Sequence, residues 1–179
     1  MAGELTGPPR ELIVLGVDPG LSATGYGLVL SRDGRHQALA FGAVVPPPRL
    51  STPERLRALH DGLTAVIAEW APAEVAVEDF VVGHARSAVA IGEARAMALL
   101  AAAQAGLPLA LYKPAEVKRS VTSYGRGSKE QVAEMVSVLL DLDSPPQPAD
   151  AADALAVALC HCLRRQPVIP DGASTGSQA

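Results

Sequence analysis

Aromatic residues are scarce in this chain: one Trp, three Tyr and two Phe among 179 residues. A core built without them must come from alanine, valine and leucine, and hydrophobic residues, at 49%, are numerous enough to supply it. That fraction excludes a disordered chain. Long apolar runs are also missing. None reaches the roughly 18 uninterrupted residues of a membrane helix, and Met1–Arg10 lacks the charged-then-apolar pattern of a secretory signal. Cysteine is limited to Cys160 and Cys162, which flank His161. Two residues apart on one helix, they do not face each other, and no further cysteine completes a zinc site. They read as small core thiols in a reducing compartment. These absences lead us to expect a cytoplasmic protein with no membrane segment. There is no excess of basic charge either: the formal net charge is −4, which taken alone argues weakly against a nucleic-acid partner.

The pattern that is present alternates strands and helices. Met1–Arg10, with a Pro-Pro pair, reads as a flexible tail. Glu11–Asp18 (ELIVLGVD) is a continuous apolar run that reads as a buried strand, stopped by Pro19-Gly20. Thr24–Ser31 and Gln37–Val45 read as two more strands joined by a turn at Arg32-Asp33-Gly34, and the three together suggest an antiparallel meander. After Pro46-Pro47-Pro48, Thr52 is expected to cap a helix running to about Trp70. A fourth strand is expected at Glu74–Phe80, a long helix from about Ala85 to Ala105 ended by Gly106, a fifth strand at Leu107–Tyr112 and a short helix at Pro114–Val121. Ser123–Gly127 is a basic glycine loop. Ser128 with Gln131 forms a capping box for a helix ending near Leu142. Asp143–Pro148 leads into a last helix reaching Arg165, and residues 166–179 read as a disordered tail. The layout is α/β: one domain over residues 11–165, a five-stranded mixed sheet in which the antiparallel meander is joined by parallel strands, with helices on both faces.

Four acids stand out from this frame. Asp18 ends a buried strand and points the same way as Val14 and Gly16; Asp-Pro-Gly is also ordinary turn chemistry, so the residue by itself is ambiguous. Glu78 lies in an apolar strand and shares a face with the small Ala76, where a carboxylate must be paired, neutral or bound to a cation. Asp79 points to the other face. Asp150 and Asp153 open the last helix, three residues apart on one face. A favourable helix dipole accounts for Asp150 but not for Asp153, which lies beyond the first turn. The helix is apolar almost all round, and no basic residue follows in it until Arg164, so two buried carboxylates without a helical partner call for something cationic between them. Its alanines would let it approach a sheet whose facing residues are Gly16 and Ala76, so that Asp18, Glu78, Asp150 and Asp153 converge. An all-oxygen ligand set suits Mg²⁺ or Mn²⁺ rather than zinc. Two such ions can hold a phosphodiester, activate water and stabilise the leaving oxygen. Setting these four acids aside brings the formal net charge from −4 to zero, so the remaining surface need not repel DNA.

Gly16-Val17-Asp18-Pro19-Gly20 with Thr24-Gly25-Tyr26-Gly27, then Val77-Glu78, then Ala149-Asp150-Ala151-Ala152-Asp153-Ala154-Leu155-Ala156 resemble, in sequence and in spacing, the RuvC family of Holliday-junction resolvases. The resemblance covers about Glu11 to Arg165. It implies an RNase H-like fold and a homodimer that cuts a four-way DNA junction by paired, symmetric nicks in recombination and repair, in association with the RuvA–RuvB branch-migration complex. It places Asp18, Glu78, Asp150 and Asp153 at the family's metal-ligand positions; some relatives carry histidine where Asp150 stands. Lys118 and Lys129 match its DNA-contacting lysines. Some members have a functionally important aromatic a few residues after the second acid, and either Phe80 or the position of Val81 could correspond to it. On the residues' own chemistry, Arg86, Lys113, Arg119 and Arg126 are further candidates for phosphate contact, with Arg126 and Lys129 foremost, and Tyr124 could stack on a base. The alanine-rich helix from Ala85 is a candidate dimer surface.

Two other classes share parts of this pattern. A strand ending Gly-x-Asp-x-Gly also resembles the phosphate-binding start of actin-like ATPases and sugar kinases, which are much longer and use two such lobes. A nuclease acting on RNA would use the same acids. A non-catalytic junction-binding protein would gain nothing from carboxylates clustered near phosphates. No Ser-His-Asp arrangement is evident among His36, His60, His84 and His161.

Overall fold

The computed structural model describes residues 11–79, 85–122 and 127–165, without the side chains of 85–87. Both tails, Phe80, Val81, His84, Tyr124 and Arg126 lie outside the described residues, as does the side chain of Arg86. The described chain runs β1 (Glu11–Asp18), β2 (Thr24–Arg32), β3 (Arg35–Val44), α1 (Thr52–Trp70), β4 (Glu74–Glu78), α2 (Ala85–Gln104), β5 (Leu109–Tyr112), α3 (Pro114–Thr122), α4 (Lys129–Leu139) and α5 (Ala149–Arg164).

The five strands form one sheet in the order β3-β2-β1-β4-β5. β1, β2 and β3 are antiparallel neighbours, and β4 and β5 extend the sheet in parallel with β1. β2 and β3 come closer together than the sequence pattern indicates, because Asp33 and Gly34 both take positive φ (51° and 77°) and make a two-residue hairpin turn. β5 begins at Leu109, not Leu107. The Leu107 amide is used to close α2 by donating to the Ala102 carbonyl at 3.0 Å, and Pro108 has no amide to offer a ladder.

Alternation along the strands sorts the core into two layers. Leu15, Val17, Leu28, Val75 and Val77 pack with α1 and α2 through Leu63, Val66, Ala98, Ala101 and Ala102. Val14, Val29 and Ala76 pack with α3, α4 and α5 through Val117, Val121, Val132, Val136, Leu155 and Leu159. Helices therefore cover both faces, as expected of parallel strands that must be buried on each side.

Helix ends differ from the sequence reading by small steps with identifiable causes. Ser51, not Thr52, caps α1: its amide and hydroxyl both donate to Glu54, at 2.8 and 2.6 Å. Ser128 and Gln131 form the expected capping box on α4. That helix stops at Leu139 rather than near Leu142. Asp141 turns left-handed (φ 54°) and the Leu142 amide reaches back to the Ser137 carbonyl at 2.8 Å, a closure usually signalled by glycine.

α5 runs across the middle of the sheet. Residues 151–152 and 154–161 along it are buried. It can lie so close because the strands beneath are bare: a Cβ on Gly16 would stand 2.1 Å from the Ala154 carbonyl oxygen, one on Gly25 2.0 Å from that of Asp150, and one on Gly27 2.7 Å from Leu155 Cγ. Gly16 pairs with Gly27, and Asp18 with Gly25, so these glycines form one patch ending at Asp18.

Candidate metal centre and nucleic-acid interface

Asp18 is the last residue of β1, Glu78 the last of β4, and Asp153 lies in the second turn of α5. β1 and β4 are parallel neighbours, so their carboxyl ends lie on the same side of the sheet. The turn after Asp18 is fixed by Thr24, fully buried, whose hydroxyl donates to the Gly20 carbonyl at 2.8 Å and accepts from the Gly20 amide at 3.3 Å. The three acids line a cleft of about 200 Å³ together with Lys118 of α3, Lys129 of α4 and the apolar Val117, Val132 and Ala156.

The cleft carries more negative charge than it can solvate. Burial, followed by the charges of Glu78 and Asp153 and a hydrogen bond to Glu78, pushes Asp18 up to about 8 from its ordinary 3.8; Lys129 acts in the opposite direction. Burial likewise raises Glu78, while its hydrogen bond with Asp18 and the charges of Lys129 and Lys118 lower it. In the chain alone, therefore, the Asp18–Glu78 pair favours sharing a proton over carrying two charges. Lys129 supplies the missing positive charge: its Nζ lies 2.9 Å from Asp153 Oδ2, and that hydrogen bond raises the lysine above its ordinary range.

Asp153 is thus not unpartnered, as α5 read by itself implied. Its partner comes from another helix, 24 residues earlier. Asp150 stands one turn closer to the start of α5, above Gly25, and is not among the residues lining the cleft. Both aspartates are half-buried rather than buried. Among the described residues, no three Asp, Glu, His or Cys side chains are drawn together closely enough to hold a metal ion as they stand. The donor set nevertheless fits a hard divalent cation: it is all oxygen, its charge is uncompensated enough to trap a proton, and an ammonium occupies the cation's electrostatic role.

The other end of α5 is anchored by a polar chain that pattern reading did not find. His161, 8% exposed, meets Tyr112 Oη through Nδ1 at 2.8 Å and Glu74 Oε2 through Nε2 at 2.6 Å. Arg165 reaches Glu74 at 2.8 Å and Arg164 reaches Glu116 at 2.7 Å. These contacts tie α5 to β4, β5 and α3, and so hold Asp153 against Asp18 and Glu78. Their partners lie tens of residues apart, and only the polar His161 in an apolar helix hinted at them. Cys160 and Cys162 are free thiols in the same helix, the first buried and the second half-buried.

Of the basic residues, Lys118 and Lys129 flank the acids. Lys113 has its amide on Glu116 at 3.0 Å, at the start of α3. Arg126, Tyr124 and Phe80 lie outside the described residues, and Arg86 is described by backbone alone.

Comparison with known proteins agrees with this arrangement. The family model for crossover junction endodeoxyribonuclease RuvC matches residues 14–161. The crossover junction endodeoxyribonuclease RuvC of Heliobacterium modesticaldum is 47% identical over 150 residues, covering 83% of this chain and 93% of that protein. The protein of the same name from Myxococcus xanthus is 47% identical over 167 residues, covering 92% and 87%. Among solved structures, Thermus thermophilus RuvC in complex with Holliday junction substrate superposes with a TM-score of 0.80 at 34% identity, covering 85% of this chain and 93% of that one. With a family match running from the middle of β1 to the last turn of α5, over a sheet and helices of the same arrangement, the chain belongs to the RuvC family of crossover junction endodeoxyribonucleases.

Proposed function

We propose that this protein is a Holliday-junction resolvase: a homodimer that hydrolyses one phosphodiester in each of two strands of a four-way DNA junction, with Asp18, Glu78, Asp150 and Asp153 holding two Mg²⁺ or Mn²⁺ ions. The observation that carries this reading is the cleft in which Asp18, Glu78 and Asp153, from three separate elements, meet between Lys118 and Lys129. Divalent ions held there by these carboxylates would supply a polarised water and would neutralise charge on the departing 3′-oxygen. Everything else falls to the chain. Asp18 must give up the proton it shares with Glu78 before both carboxylates can serve as ligands. Asp150, a turn away on the same helix and outside the cleft, has the furthest to swing, and the three acids of the cleft draw closer together around the ions. Lys118 stands beside the acids to hold a phosphate oxygen, and Lys129, held by Asp153 in the chain alone, is placed to turn to the phosphate. No covalent protein intermediate is needed, and hydrolysis leaves a 5′-phosphate.

The surface offered to a second copy lies on the α2 side of the sheet. Leu109 and Leu111 pair with Val75 and Val77 and so share their face, yet remain 36% and 40% exposed on the edge strand, and α2 leaves Val89 and Leu100 exposed on the same side. An edge strand with bare leucines calls for a cover. Two copies joined there would carry two clefts at a fixed separation, which is what symmetric nicking requires. Association with a RuvA–RuvB complex follows from the family resemblance. Among the described residues no helix is long and apolar enough to cross a membrane.

The deciding experiment is cleavage of a synthetic four-way junction, with matched duplex and RNA substrates alongside. With Mg²⁺ or Mn²⁺ the junction is cut at paired, symmetric positions, and the products carry 5′-phosphates; equal cutting of duplex or RNA, or cutting that survives chelation, defeats the reading. Lys129→Ala is expected to weaken junction binding and to lower the slope of log affinity against log salt by about one unit. An unchanged slope would remove Lys129 from the phosphate contacts.

A further inference from the structure

The end of β4 is held from two sides. Glu78 shares a face with Ala76 and turns toward α5, whereas Asp79, one residue on, follows Val75 and Val77 to the opposite face, under α2. There Arg95, in the middle of α2, brings its Nε to 3.4 Å from Asp79 Oδ1, with 23% and 31% of the two side chains exposed. Among the described residues, the strand ladder around this point is one-sided. Pairing of β4 with β1 stops at Val17–Val77. Only β5 continues, through Glu78–Tyr112 and the Asp79 amide, which donates to the Tyr112 carbonyl at 2.7 Å. Glu78 and Asp79 are consecutive at this strand end, so the direction of one side chain fixes that of the other.

We propose that Arg95 is a positioning residue for the nuclease centre: by fastening Asp79 to α2 it fixes the rotation of the end of β4 that aims Glu78 at Asp18 and Asp153, and it thereby sets the affinity of the cleft for a divalent cation. Alternation makes the coupling mechanical. Adjacent strand residues point in opposite directions, so a peg on Asp79 is a peg on Glu78. α2 also carries the exposed Val89 and Leu100 assigned above to the second copy, so the same ion pair connects the cleft to that surface. The inference rests on the metal-dependent reading of the cleft.

Its test uses the full chain and Mn²⁺ as the probe. Mn²⁺ binding is measured by calorimetry without DNA, beside the Mn²⁺ concentration for half-maximal junction cleavage, metal-free junction binding and the melting temperature. Arg95→Ala is expected to weaken Mn²⁺ binding about tenfold or more, the scale for removing a group that orients a ligand. Half-maximal cleavage shifts to higher Mn²⁺ by the same factor, with junction affinity unchanged. Arg95→Lys, which keeps the charge, recovers most of the loss, and the exchange of Asp79→Arg with Arg95→Asp recovers part of it. A wild-type Mn²⁺ isotherm in Arg95→Ala, with only a lowered melting temperature, shows a merely structural pair and overturns the proposal. Should Arg95→Ala fail to fold, Arg95→Gln and the exchanged pair carry the same measurement. Mn²⁺ binding that responds to Arg95 in a chain that cuts no junction would sink the resolvase reading and leave this one standing.

Discussion

Asp18→Asn and Asp153→Asn each reduce junction cleavage with Mg²⁺ by more than about 100-fold, since losing a group that merely orients a ligand already costs 10–100-fold, and both leave metal-free junction binding intact. An asparagine keeps the volume of the side chain and removes the charge a cation needs. The two variants separate on stability. Asp18 sits at about 8 in the folded chain against an ordinary 3.8, so between those values the folded state binds a proton that the unfolded state has released. The contribution of Asp18 to the stability of the metal-free protein is therefore full below about pH 4, falls as pH rises, and is gone above about pH 8. The size of the loss is on the order of a few kcal/mol, because Asp18 and Glu78 share the proton. Asp18→Asn mimics the protonated carboxyl and keeps a donor toward Glu78. At pH 8 without metal it melts above wild type, by roughly 5–10 °C for a domain of this size, and the difference closes at pH 4. Mg²⁺ added at pH 8 raises the melting temperature of wild type and does little for Asp18→Asn. Asp153→Asn gains nothing comparable, because it takes away the partner of Lys129. Normal cutting by either variant, or an Asp18→Asn protein no more stable than wild type at pH 8, contradicts the account of the cleft.

What could be read from the sequence followed from periodicity. An apolar run ending in Asp-Pro-Gly, and a glutamate on one face with Ala76, already placed two acids at strand ends above small residues. The alanines of the last helix indicated that it would come down on them. A capping box marked α4 within one turn of its true start. The relations that were not legible are those between side chains far apart in the chain. Lys129 reaches Asp153 from a different helix, and a single helix read for partners three or four residues away reports none. The same distance hides the Glu74–His161–Tyr112 chain. Gly25 and Gly27 were visible as residues, but their purpose depends on pairing with Asp18 and Gly16, which a strand pattern does not reveal. Asp150 is the case where two explanations stayed equally good. Its place near the start of a helix suits the dipole, and it stands a turn away from the cleft.

Gly16→Ala is expected to destabilise the fold by about 3 kcal/mol or more, at the upper end for a single added methyl, and to abolish cleavage in the fraction that folds. The added carbon would lie 2.1 Å from the Ala154 carbonyl oxygen, 2.7 Å from the Ala158 amide nitrogen and 2.9 Å from Ala158 Cβ. Two of these three are backbone atoms within α5, and no rotamer change moves them. The helix must lift or slide. α5 is tied at its far end through His161, Arg164 and Arg165, so the displacement falls on the near end, where Asp150 and Asp153 are carried. The steric cost and the loss of activity thus share one cause. Gly34→Ala supplies the contrast: nothing lies within 4 Å of its added carbon, but its φ of 77° is left-handed, so it costs only about 1–2 kcal/mol of backbone strain and leaves cleavage at wild-type rate, far from the acids at the opposite end of β2. Urea unfolding at unchanged m-value measures both costs. A Gly16→Ala protein within about 1 kcal/mol of wild type would mean that α5 does not rest on the bare patch of the sheet. The three carboxylates would then owe their meeting to something other than the glycines beneath that helix.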